Sequence, residues 1–342
     1  LEEVNIVSTS GDFGTSITDM SKLFQGCESL KSITFMGSFE NVTNISSMFS
    51  GCTNLETAKI GTFNKDKLKT ANNVFDGCTS IKSFSTDPDS DADVKIISNG
   101  FSSVETLENM FNGCSSLEEA EIKASFENLT KISNLFTGCT ELATARIDGN
   151  FNKLTSLNSL FKDKDKLTTA VIKGDFSSVT NLASLFQNCS AITSASIYDA
   201  GEESDADVQL SGDFSKVTTW ASLFQNCSSL IDVDIKTDLE NLTNVSNLFN
   251  GCTNLTTAKI DGKFEKLTSL NSLFKDKTKL TTAVIKGEFP LITNLAYLFQ
   301  SCSSLTSAIF EGTLSEDVAS ISMESMFSGC SAITSATIYD AG

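Results

Sequence analysis

Two short acidic segments carry the side chains of this sequence that are best suited to bind a metal ion. In the first, STDPDSDADV at 85–94, the carboxylates of Asp87, Asp89, Asp91 and Asp93 alternate with other residues. The second, YDAGEESDADV at 198–208, offers Asp205 and Asp207 near its end. Hard cations such as Ca²⁺ prefer several carboxylate oxygens at close range. Neither segment has the glycine and terminal glutamate of an EF-hand loop, so a solvated acidic loop is the favoured interpretation and calcium the alternative.

Other chemistry is poorly supported by the composition. The chain has no histidine, which removes the usual general base and the commonest metal ligand. No pair of nucleophile and base is visible, so we predict that the protein is not an enzyme and needs no cofactor other than, at most, calcium. A net charge of −18 disfavours nucleic acid and anionic lipid as partners. No apolar run approaches the roughly 20 residues that span a bilayer.

A repeat organises almost the whole chain. The string [ML]F-x-[GN]-C recurs with its phenylalanine mostly 25 residues apart. We refer to this phenylalanine as the anchor. The anchors are Phe24, Phe49, Phe75, Phe111, Phe136, Phe161, Phe186, Phe224, Phe249, Phe274, Phe299 and Phe327. Such a period indicates a solenoid, because a single copy cannot bury its apolar side and must stack on its neighbours.

Each copy contains a strand-like and a helix-like segment. After the anchor, a small residue and an isoleucine flank one polar residue, as in Ala170 and Ile172, which is the alternation of a strand with one buried face. Before the anchor, Val179, Leu182 and Leu185 have helical spacing, with Thr180 as a candidate N-cap. Glycine, asparagine or aspartate two residues after the anchor predicts a left-handed helix end. We therefore predict an α/β solenoid of about twelve coils, with a parallel sheet on one side and short helical turns on the other.

The ten cysteines and the tryptophan fit this architecture as structural residues. Every cysteine lies three residues after an anchor, and Lys164 and Lys277 take that position in the two remaining copies. Equivalent positions in stacked coils form a ladder of buried thiols, not a scattered disulfide framework. Trp220 replaces a core leucine, so we expect it to be packed inside.

The repeat strings resemble a known family. MFSGCTNLETAKI at 48–60, NMFNGCSSLEEAEI at 109–122 and LFNGCTNLTTAKI at 248–260 are similar to the BspA-like branch of leucine-rich repeats. Members occur in cell-surface proteins of bacteria, including mycoplasma lipoproteins, and of some protozoa. The resemblance implies a right-handed leucine-rich-repeat solenoid over nearly the whole chain. It also implies surface display and adhesion to proteins of a host or neighbouring cell.

A longer period lies over the first one. Residues 136–189 and 249–302 match closely at an offset of 113, and the two acidic inserts, at about 85–100 and 198–213, recur with it. The chain ends at IYDAG, which resembles the start of another insert. We interpret residues 1–342 as one solenoid and as a fragment of a longer array.

The outward positions of the predicted strands are the candidate binding surface. They combine charged, apolar and aromatic side chains on what should be a flat face, which favours contact with a partner. The candidates are Glu119, Glu121, Lys123, Arg146, Val171, Lys173, Tyr198, Val284, Ile309 and Tyr339.

Two functional hypotheses follow. The first is a non-catalytic extracellular or cell-surface module that binds a protein or glycan on a host or neighbouring cell through the strand face. The alternative is a structural segment of a repetitive extracellular filament or surface layer, formed by self-association and stabilised by calcium at the inserts.

Overall fold

The computed structural model describes residues 2–7, 15–85, 96–97, 99–123, 126–198, 201, 205–313 and 320–340. It divides into two compact units, Leu1–Ser178 and Val179–Gly342. Six anchor phenylalanines lie in each unit. Each unit is a parallel β-solenoid, so the predicted fold class is confirmed.

The strands of the first unit pair in parallel and in sequence order. They are β1 (Glu3–Val7), β2 (Ser32–Phe39), β3 (Thr57–Phe63), β4 (Ser83–Ser85), β5 (Ile96–Ile97), β6 (Glu119–Lys123), β7 (Thr144–Asn150) and β8 (Thr169–Asp175), with a 3-10 turn at Asn99–Phe101 before β6.

The second unit has the same parallel pairing, with one change of order. Its strands are β9 (Ser194–Tyr198), β10 (Val208–Gly212), β11 (Asp232–Lys236), β12 (Thr257–Lys263), β13 (Thr282–Glu288), β14 (Ser307–Thr313) and β15 (Ser335–Asp340). β9 lies between β10 and β11, and the remaining strands follow in sequence order.

The predicted strand alternation is confirmed. In β7, Ala145 and Ile147 are buried while Arg146 between them is exposed. The in-register partners of these buried residues in β8 are Ala170 and Ile172, so each buried side chain rests on its equivalent in the next coil. One face of the sheet thus forms the core and the other remains accessible.

The anchor phenylalanines form a stacked column within each unit. Neighbouring rings have centroids 5.3–6.1 Å apart and planes within 14° of each other. The column continues past the inserts, since Phe75 and Phe111 stack at 5.7 Å, as do Phe186 and Phe224. Stacked aromatic pairs add to the stabilisation that comes from burial alone. Trp220 is 1% exposed, which confirms its packing in the core.

The segment around each anchor, which we call the return segment, differs from the predicted helical turn. In residues 20–27, the amides of Leu23, Gln25 and Cys27 donate to carbonyls three residues earlier. The intervening amides, such as those of Phe24 and Gly26, donate to carbonyls of the next coil. The segment is therefore a run of turns that also forms its own ladder between coils. Apolar residues three or four apart fit this run as well as they fit a helix.

The structure also tests the two predicted ends of the helical turn. The residue two after the anchor is left-handed as expected, with φ of 71° at Gly26 and 63° at Asn188. The N-cap prediction for threonine is wrong: Thr43 Oγ1 donates to the Thr18 carbonyl in the preceding coil, and Thr243 Oγ1 to that of Thr218. The threonine column holds neighbouring coils together instead of starting helices.

The cysteine ladder is confirmed. All ten cysteines are free, and eight of the thiols donate to the anchor carbonyl of the preceding coil, as in Cys78 Sγ to Phe49 O at 3.0 Å. Burial raises the pKa of the Cys52 thiol to about 11 and of the Cys139 and Cys252 thiols to about 12. These thiols therefore act as small apolar side chains with one satisfied donor.

Thiol reactivity tests this assignment. We expect Cys27, which is half-buried, to react quickly with a water-soluble disulfide reagent at pH 8, and the nine buried thiols to react only as fast as the protein opens. In denaturant all ten should react at once. Rapid titration of several thiols in the native protein would contradict the ladder.

Alkaline pH should destabilise the fold. The unfolded thiols ionise near their ordinary pKa of about 9, whereas burial keeps the folded Cys139, Cys252 and Cys302 thiols protonated to about 12. The free energy of unfolding is therefore unaffected by these thiols below pH 9. Between pH 9 and pH 12 it falls by about 1.4 kcal/mol per pH unit for each fully buried thiol. We expect the thermal midpoint to fall steeply above pH 9. A flat profile up to pH 11 would be inconsistent with buried neutral thiols.

Candidate functional site

The outward side chains of β6, β7 and β8 form a continuous surface in the first unit, which we call the first strand patch. Its rows follow the parallel register: Glu119 beside Thr144 and Thr169, Glu121 beside Arg146 and Val171, and Lys123 beside Asp148 and Lys173. All six residues predicted as sites in these strands therefore lie on one face. Their spacing is that of neighbouring parallel strands, about 4.8 Å.

Exposure varies within the first strand patch. Glu119, Lys123 and Arg146 are exposed, and Glu121 and Lys173 are half-buried. Val171 is only 9% exposed, because its short side chain stands beside the much longer Arg146. Charged side chains, not Val171, therefore supply the area that a partner could contact here.

The charges of this patch alternate from coil to coil. Lys123, Asp148 and Lys173 follow one another across β6, β7 and β8. Like charges directly opposite each other on neighbouring strands are destabilising, whereas opposite charges attract. In this row each charge has an opposite neighbour, and the patch as a whole is close to neutral.

A second strand patch has the same pattern in the second unit. It consists of the outward side chains of β11, β12 and β13, where Lys236, Asp261 and Lys286 alternate in register. The series continues in β14, where Glu311 Oε2 pairs with Lys286 Nζ at 2.9 Å. The offset of 113 residues contained the signal for six residues of this patch that are not among the predicted site residues: Asp232, Asp234, Lys236, Lys259, Asp261 and Lys286.

The other predicted strand-face residues also lie in the second unit. Val284 and Ile309 are half-buried and are in-register neighbours, so they form a small apolar step at the edge where the second strand patch meets β14. Tyr339 lies in β15, and its backbone pairs with that of Glu311 in β14. The Tyr339 side chain lies outside the described part of the chain.

A hollow of about 330 Å³ opens on the strand face of the second unit, beside Tyr198. The Tyr198 hydroxyl donates to Asp234 Oδ2 at 3.1 Å. The lining also includes Asp205, Asp232 and Lys259, so acidic groups predominate at this end of the second strand patch.

The acidic inserts are described only in part. Asp87, Asp89, Asp91 and Asp93 lie outside the described residues. Asp207 Oδ2 accepts bonds from the amide and the hydroxyl of Thr193, at 2.9 and 2.7 Å, and so holds the entry to β9. Over the described ranges, no three histidine, cysteine or acidic side chains are grouped to hold a metal ion.

The return segments present a second surface, which contains none of the predicted site residues. Lys164 and Lys277, which replace the ladder cysteines, are 3% and 6% exposed. The Lys277 ammonium donates to the Lys275 carbonyl at 2.9 Å, and burial lowers the pKa of Lys277.

In the described part of the chain, no helix has the length and hydrophobicity to cross a bilayer.

Solved structures that the chain is similar to include three bacterial leucine-rich-repeat proteins. The T. pallidum leucine-rich-repeat protein is 19% identical, with a TM-score of 0.36, over 55% of this chain and 77% of that one. A leucine-rich cell-surface protein of Faecalibacterium prausnitzii is 18% identical, with a TM-score of 0.34, over 100% and 88% of the two chains. A leucine-rich-repeat protein of Eubacterium ventriosum is 13% identical, with a TM-score of 0.35, over 97% and 83%.

No functionally curated protein matches the chain. The model of one protein family, described as "Mycoplasma protein of unknown function, DUF285", matches residues 13–103, 105–208 and 218–339. These stretches contain all twelve anchors and both strand patches. The resemblance to leucine-rich-repeat surface proteins of the BspA-like type is thus confirmed, and the chain belongs to the DUF285 family.

Proposed function

We propose that the protein is a non-catalytic, extracellular cell-surface module that adheres to a protein on a host or neighbouring cell through its strand patches. The observation that carries this proposal is the repetition of the first strand patch in the second. At the offset of 113 residues, Glu121 corresponds to Asp234, Arg146 to Lys259 and Asp148 to Asp261. Each outward position of β6, β7 and β8 keeps its charge or its neutral character in β11, β12 and β13.

Some positions elsewhere on the surface have diverged between the same two blocks, whereas others, such as Lys166 and Lys279, are identical. Exposed Glu118 corresponds to Ile231, Lys131 to Asn244, and Asp165 to Thr278. Retention of charge or neutral character at every outward strand position, beside change at some other exposed positions, supports a requirement on the strand patches.

The chemistry of the patches favours a protein partner over a neutral glycan. Alternating ammonium, guanidinium and carboxylate groups match the mixed charges of a protein surface, and complementary charges give specificity and a fast encounter. No aromatic side chain lies in β6–β8 or β11–β13 at an outward position, and Tyr198 in the neighbouring β9 has its hydroxyl bound to Asp234. The patches themselves therefore offer a sugar ring no aromatic face for stacking. Two equivalent patches in one chain would also allow bivalent binding, which raises avidity without a new type of contact.

Charge reversal at the centre of each patch tests this proposal. We expect Arg146→Glu or Lys259→Glu alone to weaken adhesion about tenfold, and the double variant to abolish it, because each substitution opposes the partner's charge and bivalency is lost. The measurement is binding to an array of purified extracellular-matrix proteins and glycans, with electron microscopy of the same samples.

The control is Lys131→Glu, which makes the same change of charge at an exposed position that has diverged between the blocks. If Lys131→Glu weakened adhesion as much as Arg146→Glu or Lys259→Glu, the loss would be a general effect of charge and not of the strand patches. Polymers in the absence of any array signal would favour the alternative function as a filament or surface-layer segment.

We further propose calcium as the cation that the acidic inserts would bind, with a solvated loop as the competing interpretation. We expect excess calcium to raise the thermal midpoint by a few degrees and magnesium at the same concentration to have little effect, because carboxylate loops suit the larger ion. Asp205→Asn should reduce the calcium effect. An unchanged midpoint with calcium would remove the metal from the proposal.

A further inference from the structure

The return segments of the second unit enclose a hollow of about 470 Å³, which we call the return hollow. Its volume is within the range of about 300–1,000 Å³ that is typical of small-molecule sites. Amide, hydroxyl and ammonium groups line it, among them Asn247, Asn250, Asn271, Ser272, Lys275 and Lys277. It lies on the return segments and not on the strand face, so it is separate from both strand patches.

The return hollow exists because small polar residues occupy a column of left-handed positions. The residue two before each anchor has a positive φ, for example 57° at Asn247 and 58° at Ser272. Asparagine and serine suit this conformation, and their short side chains leave space between the coils. The column lies four residues before the left-handed position that the sequence predicted.

Tyr297 occupies this column in the following coil with a φ of 59°. A bulky side chain in the left-handed region is strained, and such strain is concentrated at functional positions. The ring lies under Lys275, whose Nζ is 5.7 Å from its centroid, and the hydroxyl donates to Glu324 Oε1 at 2.5 Å. Tyr297 therefore holds the Lys275 ammonium at the edge of the return hollow by a cation–π contact.

Lys277 supplies a second ammonium from the cysteine ladder. Ten of the twelve coils have cysteine at this position, so the fold accommodates a neutral residue there. An ammonium has three donors, and one of those of Lys277 is directed to the Lys275 carbonyl. A buried cation is costly unless an anion or further acceptors reach it. Asp276 is the one acidic residue in the described lining.

We propose that the return hollow binds an acidic sugar, with its carboxylate between Lys275 and Lys277 and its hydroxyls on the neighbouring amide and hydroxyl groups. Charge-assisted bonds from two ammoniums suit a carboxylate. Asn247, Asn250 and Asn271 can both donate and accept, as sugar hydroxyls require. The chain has a net charge of −18, so two neighbouring lysines form a locally basic site on an acidic protein.

The first unit contains a hollow that serves as an internal control. It measures about 460 Å³ and shares the asparagine and serine column, through Asn134 and Ser159. Its lining includes Lys131 and Glu108, whose charges cancel, and it does not include Lys162 or Lys164. The sequence position that corresponds to Tyr297 is Ser184. We therefore assign sugar binding to the hollow of the second unit alone.

Calorimetric titration of the full chain with a glucuronate-containing tetrasaccharide tests the proposal. We expect Lys275→Gln and Lys277→Cys each to weaken binding about tenfold, since each removes a charge-assisted bond. Lys277→Cys restores the residue that ten other coils carry, so its thermal midpoint should equal or exceed that of the unchanged protein. Lys164→Cys is the matched control and should bind normally.

Tyr297 is a positioning residue, and two variants separate its role from a structural one. Tyr297→Ser introduces the residue of several other coils and should weaken binding several-fold without loss of stability. Tyr297→Phe keeps the ring under Lys275 and should retain binding. Equal loss in both variants would overturn the positioning role.

Three further results would overturn the assignment to an acidic sugar. They are equal affinity for the methyl ester of the saccharide, displacement by inorganic phosphate at the same concentration, and equal loss of binding in Lys164→Cys. The double variant Arg146→Glu and Lys259→Glu should bind the saccharide normally. Failure of the strand patches and failure of the return hollow can therefore be told apart.

Discussion

Stacking of each residue on its own equivalent is the constraint on which the structure depends. In-register parallel strands place every side chain about 4.8 Å from the residue at the same position of the next coil. A position can therefore be occupied only by residue types that tolerate their own kind as neighbours, or that alternate with a suitable complement. Phenylalanine meets the first condition by offset stacking, as between Phe274 and Phe299. Cysteine meets it by donating to a backbone carbonyl and not to another thiol, as in Cys302 to Phe274.

Charged residues meet the second condition. A column of lysines at this spacing would repel itself, and the third outward position instead runs Lys236, Asp261, Lys286 and Glu311. The same rule keeps the strand patches close to neutral in a chain whose net charge is −18, so the excess of acid lies on other surfaces. A negatively charged cell surface would thus meet least repulsion at the strand patches.

The period and the core were predictable from the sequence because both depend on spacing alone. The alternation of Ala170 and Ile172 identifies a strand in any context. The return segment was not predictable, because Val179, Leu182 and Leu185 have a spacing that successive turns share with a helix. What distinguishes the two is the destination of alternate amides, such as Phe186 N to Leu223 O in the next coil. That bond joins residues 37 apart, and no local pattern records it.

The two candidate sites have opposite relations to the repeat: the strand patches follow it, and the return hollow departs from it. Each 113-residue block carries one strand patch. Comparison of the two blocks identifies the patches once the register of the strands is known. The return hollow depends on departures from the repeat: Lys277 where cysteine is usual, and Tyr297 where asparagine or serine is usual. Both departures act against stability, one by burying a cation and the other by straining the backbone. Lys164 buries a cation in the same way in the first unit, so Tyr297 is the departure that distinguishes the return hollow. Most other coils carry asparagine or serine at its position, and a strained tyrosine beside Lys275 is better explained by a ligand than by packing.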